Sequence, residues 1–130
     1  MIEKHIEEMV GILNKVVPSG WERILLRAMI LPASYSFKYY VKEEGKDGYL
    51  DNFALVDSGV ITKVEMMGSF SKMRKISNIA LDETVNDKKD KWMGYIMVLS
   101  KNDDKISFSV DYVYDEEEFN SNADWIQKYI

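Results

Sequence analysis

Acidic side chains near the end of the sequence are the residues whose type and spacing could do chemistry. Residues 111–118 read DYVYDEEE and carry five carboxylates, Asp111, Asp115, Glu116, Glu117 and Glu118. Carboxylates can ligate a metal ion, act as acid and base, or meet a basic surface on another molecule. Their spacing and the composition of the remaining chain must decide among these uses.

The spacing disfavours a shared metal ion. On one extended strand Asp111 and Asp115 share a face but stand roughly 13 Å apart at about 3.3 Å per residue. The run also lacks the spacing and the sharp glycine turn of a calcium-binding loop. A small metal-dependent hydrolase built on Asp111 and Asp115, with Lys91 opposite Asp115, remains an alternative interpretation.

The remaining sequence offers few catalytic groups. The single histidine, His5, precedes Ile6 near the N-terminus, and we expect it to be a surface residue rather than a general base. The absence of cysteine excludes disulfides, thiol catalysis and Cys-based zinc sites. No phosphate-binding loop, nucleophile elbow or HExxH motif is present. We therefore expect no enzymatic activity, no cofactor and no bound metal.

The charge is unevenly distributed and points to a protein partner. Residues 1–81 carry a net charge of +1, whereas residues 82–130 carry −6. Direct binding of nucleic acid is disfavoured because phosphate contacts require Lys and Arg, whereas a basic protein partner fits. Lys89 and Lys91 are expected to neutralise part of the acidic run.

The candidate partner-binding residues are the acids of this run, the terminal tryptophan and the acids of the loop EEGKDG. They are Asp111, Asp115, Glu116, Glu117, Glu118, Trp125, Glu43, Glu44 and Asp47. A general regulatory protein-binding module, in which the acids only keep a strand edge solvated, is a further alternative.

The sequence shows no sign of membrane insertion. No apolar run approaches the roughly 20 residues that span a bilayer. The first residues include several acids and no long apolar stretch, which is unlike a signal peptide. We expect a cytoplasmic protein with no membrane partner.

The first half of the chain predicts a helix followed by a hairpin. Apolar residues recur at spacings of three and four between Ile2 and Val17, and Pro18 and Gly20 end this pattern. The stretches WERILLRAMIL and SYSFKYYVK then predict two strands joined at a turn. The next apolar stretch, YLDNFALV, is ambiguous and could be a third strand.

The second half of the sequence predicts another helix and two strands. Thr62 and Glu65 fit a capping box for a helix over roughly residues 62–81, and DETVNDKKDK predicts a polar loop. A turn centred on Asp103 would pair two final strands, and residues 123–130 predict a short terminal helix.

The register of the last two strands is predicted from their apolar residues. With the turn centred on Asp103, four cross-strand pairs share one apolar face: Phe108 with Val98, Val110 with Ile96, Tyr112 with Gly94, and Tyr114 with Trp92. In this pairing Gly94 leaves room beneath a tyrosine ring. The fold class is therefore α+β: one domain over residues 1–130, with a four- or five-stranded antiparallel sheet carrying helices on one face, in the order α-β-β-(β)-α-β-β-α.

Two stretches of the sequence resemble a known family. The stretch VVPSGWERILLRAMI, with Pro18, Trp21 and Glu22, is similar to the opening of the YezG-like immunity proteins of bacterial polymorphic toxin and contact-dependent inhibition systems. The ending also resembles that family in an Asp-Tyr-x-Tyr strand, then acids, then a Trp and a Lys-Tyr pair. These residues are Asp111, Tyr112, Tyr114, Trp125, Lys128 and Tyr129.

The resemblance implies a function that composition alone leaves open. It implies an antitoxin without enzymatic activity that binds a cognate toxin domain, often a nuclease, inside the producing cell. A nuclease must be basic to hold phosphate, and acidic complementarity on its inhibitor would increase the association rate and specificity. On this interpretation, the acidic run would contact the toxin.

Overall fold

The computed structural model describes residues 1–117 and 125–130 and shows the predicted α+β architecture. Its elements, in chain order, are α1 Glu3–Leu13, β1 Trp21–Ile30, β2 Tyr35–Glu43, β3 Leu50–Asp51, α2 Asn52–Asp57, α3 Lys63–Asn86, β4 Gly94–Asn102, β5 Lys105–Val113 and a terminal 3-10 helix Trp125–Lys128. The five strands form one antiparallel sheet in the order β3-β2-β1-β4-β5. The predicted fold class and element order are confirmed.

The hairpin of β1 and β2 follows its local sequence signals. The chain turns after Pro32, where the Leu31 amide donates to the Ser34 carbonyl at 2.9 Å. Alternate side chains of β2 then enter the core, and Tyr39 is fully buried. Its hydroxyl donates to the Val16 carbonyl at 3.0 Å, which satisfies the buried polar group.

The helix α3 begins at the predicted capping box but continues beyond the predicted end. The Thr62 hydroxyl accepts from the Glu65 amide at 3.0 Å, and the Glu65 carboxylate accepts from the Thr62 amide at 2.9 Å. The hydrogen bond from the Thr62 amide first, and then the Thr62 side chain, lower the pKa of the Glu65 carboxyl. The helix runs to Asn86 rather than residue 81, so half of the predicted polar loop is helical.

Tertiary contacts explain this extra helical turn. Thr84 bonds back to the Ala80 carbonyl at 2.9 Å and accepts from the indole of the buried Trp92 at 3.2 Å. The ambiguous stretch before α3 divides into two elements, the two-residue strand β3 and the short helix α2. Asp51 caps α2 by accepting from the Ala54 amide at 2.8 Å.

The prediction of a surface histidine is wrong. His5 is only 5% exposed, and its Nε2 lies 2.8 Å from Oε2 of Glu83. His5 lies on the buried side of α1 next to Ile6 and one turn before Met9, and it faces α3. His5 therefore joins α1 to the end of α3, through a partner 78 positions away that no local pattern indicates.

The predicted register of β4 and β5 is wrong by one residue. The observed pairs include Gly94 with Val113 and Leu99 with Phe108, and the turn contains the two residues Asp103 and Asp104. Asp103 adopts a left-handed conformation with φ 56, which suits a tight hairpin turn. The predicted register failed because residues 94–99 of β4 are all buried, so apolarity did not distinguish its two faces.

The shift changes the environment of the aromatic residues. Trp92 does not pair with Tyr114: pairing ends at Gly94, and Trp92 lies before β4 with its ring centroid 5.5 Å from that of Tyr112. Tyr114 is 50% exposed and Phe108 is 45% exposed, so the predicted apolar face is only partly buried. Because the observed β4–β5 pairs begin at Gly94 and Val113, the predicted cross-strand position of Lys91 opposite Asp115 is not part of this register.

Gly94 serves a different purpose from the one predicted. A Cβ atom at this position would lie 2.4 Å from the Ala28 carbonyl oxygen of the neighbouring strand β1. The glycine therefore permits a close approach of two backbones, rather than making room for a tyrosine ring.

Candidate interaction surface

Among the described residues, helices cover one face of the sheet, and the other face, here called the open face, carries the C-terminal segment. Residues that alternate along the strands, such as Ile24, Tyr95 and Met97, face α1 and α3 and belong to the main core. Their neighbours in sequence point the other way, and Leu25, Ile96 and Val98 form a second, smaller apolar cluster there. The C-terminal segment 125–130 packs on this second cluster.

Trp125 holds the C-terminal segment on the open face. It is 6% exposed and belongs to the second cluster. Its ring centroid lies 5.6 Å from that of Tyr40, and the Arg27 guanidinium carbon lies 5.9 Å from the ring centre. The predicted partner-binding tryptophan thus anchors its own chain, and its contact with a partner stays a prediction.

Asp111 and Arg23 fix the end of this segment. The Tyr129 hydroxyl donates to Asp111 at 2.7 Å, while Arg23 donates to the Tyr129 carbonyl and to the Tyr49 hydroxyl. Burial first, and then the bond and charge of Asp111, raise the pKa of Tyr129 to about 12. Asp111 therefore orients the C-terminus in addition to any role in binding a partner.

The remaining acids of the run lie just beyond β5. Asp115, Glu116 and Glu117 are exposed, and Glu118 lies outside the described residues. Within the described part of the chain, no ion pair joins Lys89 or Lys91 to Glu116 or Glu117. The predicted neutralisation of part of the acidic run by these lysines is therefore not observed at Glu116 or Glu117, and both carboxylates present their charge to solvent.

The loop acids occupy a different corner of the sheet. Glu43 ends β2 and pairs with Lys46 at 3.1 Å, while Glu44 and Asp47 are exposed. The strands β1 and β4 separate β2 from β5, and the two acidic segments follow opposite ends of the sheet. They are on the order of 30 Å apart by strand spacing and rise, so the candidate residues do not form one cluster.

The geometry offers no metal centre among the described residues. No group of three or more His, Asp or Glu side chains there could hold an ion. Asp111 is engaged by Tyr129, and His5 is engaged by Glu83. Among the same residues, no helix is long and apolar enough to cross a bilayer.

An apolar surface that the sequence reasoning missed lies along β5. Ile106 and Phe108 remain 38% and 45% exposed, although they face the helix layer. The stretch KISFSV does carry the signal of alternation, but alternation cannot reveal that α1 leaves these two side chains uncovered.

Comparison with known proteins places the chain in a family. The family model described as "Immunity protein YezG-like" matches residues 2–130. No curated protein matches the chain significantly. The family is generally non-enzymatic, and its description indicates an immunity role with a toxin as the partner. Because this match covers nearly the whole chain, the chain belongs to the YezG-like immunity protein family.

Proposed function

We propose that this protein binds and neutralises a cognate toxin domain with a basic surface, a nuclease, in the bacterial cytosol. Family membership supports the antitoxin role. The observation that carries the choice of a basic toxin is the placement of Glu116 and Glu117, exposed and without ion pairs among the described residues. A nuclease needs a basic surface to bind phosphate, and this surface attracts such carboxylates.

The uneven charge of the chain supports the same proposal. Residues 82–130 carry a net charge of −6, and this part of the chain contains β5 and the acidic segment after it. Attraction between such a segment and a basic surface acts before contact and accelerates association. An acidic inhibitor can thereby capture a newly made toxin quickly, before the toxin encounters nucleic acid.

A reconstitution experiment tests the proposal. The genes beside this one are searched for a toxin domain, which is purified, and its nuclease activity is measured while the immunity protein is added. We expect activity to fall in proportion to the added protein and to vanish near one equivalent, with no nuclease or hydrolase activity in the immunity protein alone. A neighbouring toxin that is not a nuclease, or a nuclease that stays active with excess protein, would contradict the proposal.

A further inference from the structure

The strand β5 is an edge whose charged residues, Lys105 and Asp111, lie toward its two ends, so that residues 106–110 lack the usual protection. It occupies one end of the sheet, and no strand in residues 1–117 or 125–130 pairs with its outer side. The opposite edge, β3, has only two residues, whereas β5 has nine. Natural edges are guarded by shortness, prolines, bulges or inward charges. The register of β5 with β4 is unbroken, and the strand contains no proline.

The outer side of β5 presents hydrogen-bonding groups in a regular row. In an antiparallel pair, alternate residues exchange hydrogen bonds with the partner strand, and the residues between them turn their N–H and C=O groups outward. A row of this kind is a template for an added strand from another molecule.

A groove between α1 and β5 runs beside this row. It has a volume of about 280 Å³ and an apolar floor formed by Ile6 and Val10 of α1 with Ile106 and Phe108 of β5. An added strand would direct alternate side chains toward the helix layer, where this floor would receive them. Ile106 and Phe108 are partly exposed, and an added strand would bury their exposed side-chain surface.

The charges around the groove define the kind of strand that fits. The charged residues that line the groove are Glu3, Glu7 and Asp104, all of them acidic, and they are called its rim below. Lys105, the basic residue at the start of β5, points to the opposite face of the strand by alternation. A second copy of this chain would set acids against acids, whereas a segment with Lys or Arg beside an apolar residue complements both rim and floor.

We propose that the outer edge of β5 binds an extended, basic segment of the toxin domain by strand addition. An apolar side chain of that segment fills the groove over Ile106 and Phe108, and flanking Lys or Arg side chains pair with Glu3, Glu7 and Asp104. This inference rests on the proposed function, and it adds a docking surface distinct from the acidic residues after β5.

The first test compares two matched substitutions. Phe108→Glu places a charge on the groove floor, and Phe53→Glu makes the same change on α2, where Phe53 is 57% exposed. The probe is the toxin domain encoded beside this gene, inactivated in its catalytic site. We expect Phe108→Glu to weaken binding on the order of 30-fold, as for an interface hot spot, and Phe53→Glu to leave binding unchanged.

A second pair of variants tests the rim without altering β5. Glu3→Lys with Glu7→Lys reverses the rim charge, and Asp57→Lys with Asp82→Lys makes the same net change at exposed positions outside the groove. The rim variant should associate more slowly with the toxin domain than this control does. Hydrogen exchange of the wild-type complex should show new protection of amides in β5.

The outcomes separate this inference from the proposed function. If the parent protein does not bind the toxin domain, the proposed function falls and the inference falls with it. If the parent protein binds but the groove variants bind equally well and β5 gains no protection, the docking surface is wrong and the function stands. Sedimentation as a dimer that Phe108→Glu converts to a monomer, with toxin binding retained, would assign the edge to a second copy and overturn the inference.

Discussion

The two faces of the sheet are stabilised in different ways. The face beneath α1 and α3 carries the main core, in which polar groups such as the Tyr95 hydroxyl are buried and bonded, here to Ser77 at 2.6 Å. The open face carries a smaller cluster around Trp125, and its hydrogen bond from Tyr129 to Asp111 lies at an exposed position. The helix-covered face therefore carries most of the folding free energy.

This difference separates the parts that fold the chain from the parts that a partner can use. The charged and apolar groups proposed to bind the partner lie along β5 and in residues 115–117, away from the core. Substitutions beneath the helices should unfold the protein, whereas substitutions along β5 and in the acidic segment should change binding in a folded protein. Four stability measurements and one kinetic measurement test this division.

The largest effect is expected for Trp92, which is 2% exposed under the end of α3. Trp92→Ala removes a buried ring that contacts Tyr95 and Tyr112, each at a centroid distance of 5.5 Å. We expect the free energy of unfolding to fall by roughly 3–5 kcal/mol, measured by denaturant titration. The control Phe53→Ala, at an exposed site, should change it by about 0.5 kcal/mol at most. Equal effects in the two variants would show that the helix-covered face is not the main source of stability.

A smaller effect is expected for Trp125 on the open face. Trp125→Ala removes the anchor of the C-terminal segment from the cluster of Leu25, Ile96 and Val98. Because the segment is short and the cluster small, we expect a loss of roughly 1.5–3 kcal/mol, below that for Trp92→Ala. Gln127→Ala, an exposed change in the same 3-10 helix, is the control. A loss for Trp125→Ala that exceeds that for Trp92→Ala would reverse the ranking of the two faces.

The smallest effect on stability is expected for Tyr129. Tyr129→Phe removes the hydrogen bond to Asp111 and keeps the ring, so the free energy of unfolding should fall by about 0.5–1.5 kcal/mol. In a double-mutant cycle, Asp111→Ala should cost less in the Tyr129→Phe background than in the parent. Strictly additive effects would show that the two side chains do not interact.

The stability that the Tyr129–Asp111 pair contributes should depend on alkaline pH. The folded protein raises the pKa of Tyr129 from 10.0 to about 12, so the folded state holds this proton more tightly than the unfolded state does. The stabilisation from this group is complete below pH 10 and is lost as the pH rises through 12. The stability difference between the parent and Tyr129→Phe should therefore shrink over that interval. A constant difference would argue against the bond.

The sequence predicts the locally encoded parts of this fold and misses the distant contacts. The capping box of Thr62 and Glu65 and the alternation of β2 are signals within a few residues, and both are confirmed. The bond of His5 to Glu83 spans 78 positions, so no local pattern could reveal it. The register of β4 and β5 failed for another reason, because a strand buried on both faces gives no preferred alternation.

The candidate site shows the same division. The excess of acids near the C-terminus could be read from composition, and the structure places residues 115–117 at the surface. The hydrogen bond that Asp111 accepts from Tyr129 could not be predicted from the sequence, since it depends on the C-terminal segment packing on the open face. The groove along β5 depends on how far α1 extends over the sheet, and this is a property of packing rather than of pattern.

The central claim is that the acids beyond β5 meet a basic toxin surface. One variant removes the charge of these acids and so tests the claim: Asp115→Asn, Glu116→Gln, Glu117→Gln and Glu118→Gln. A loop variant neutralises the acids at the other corner of the sheet: Glu43→Gln, Glu44→Gln and Asp47→Asn. Both variants should unfold at nearly the same denaturant concentration as the parent, because the substituted residues within 1–117 are outside the core.

Association kinetics with the cognate toxin domain, at low and at physiological salt, test this claim most directly. Exposed charges act over a distance that salt reduces to about 8 Å under physiological conditions. We expect the variant beyond β5 to associate roughly tenfold more slowly at low salt, with a flatter salt dependence, while the loop variant behaves like the parent. If the variant beyond β5 associates as fast as the parent at low salt, the acidic run is only a solvated edge and the claim is wrong.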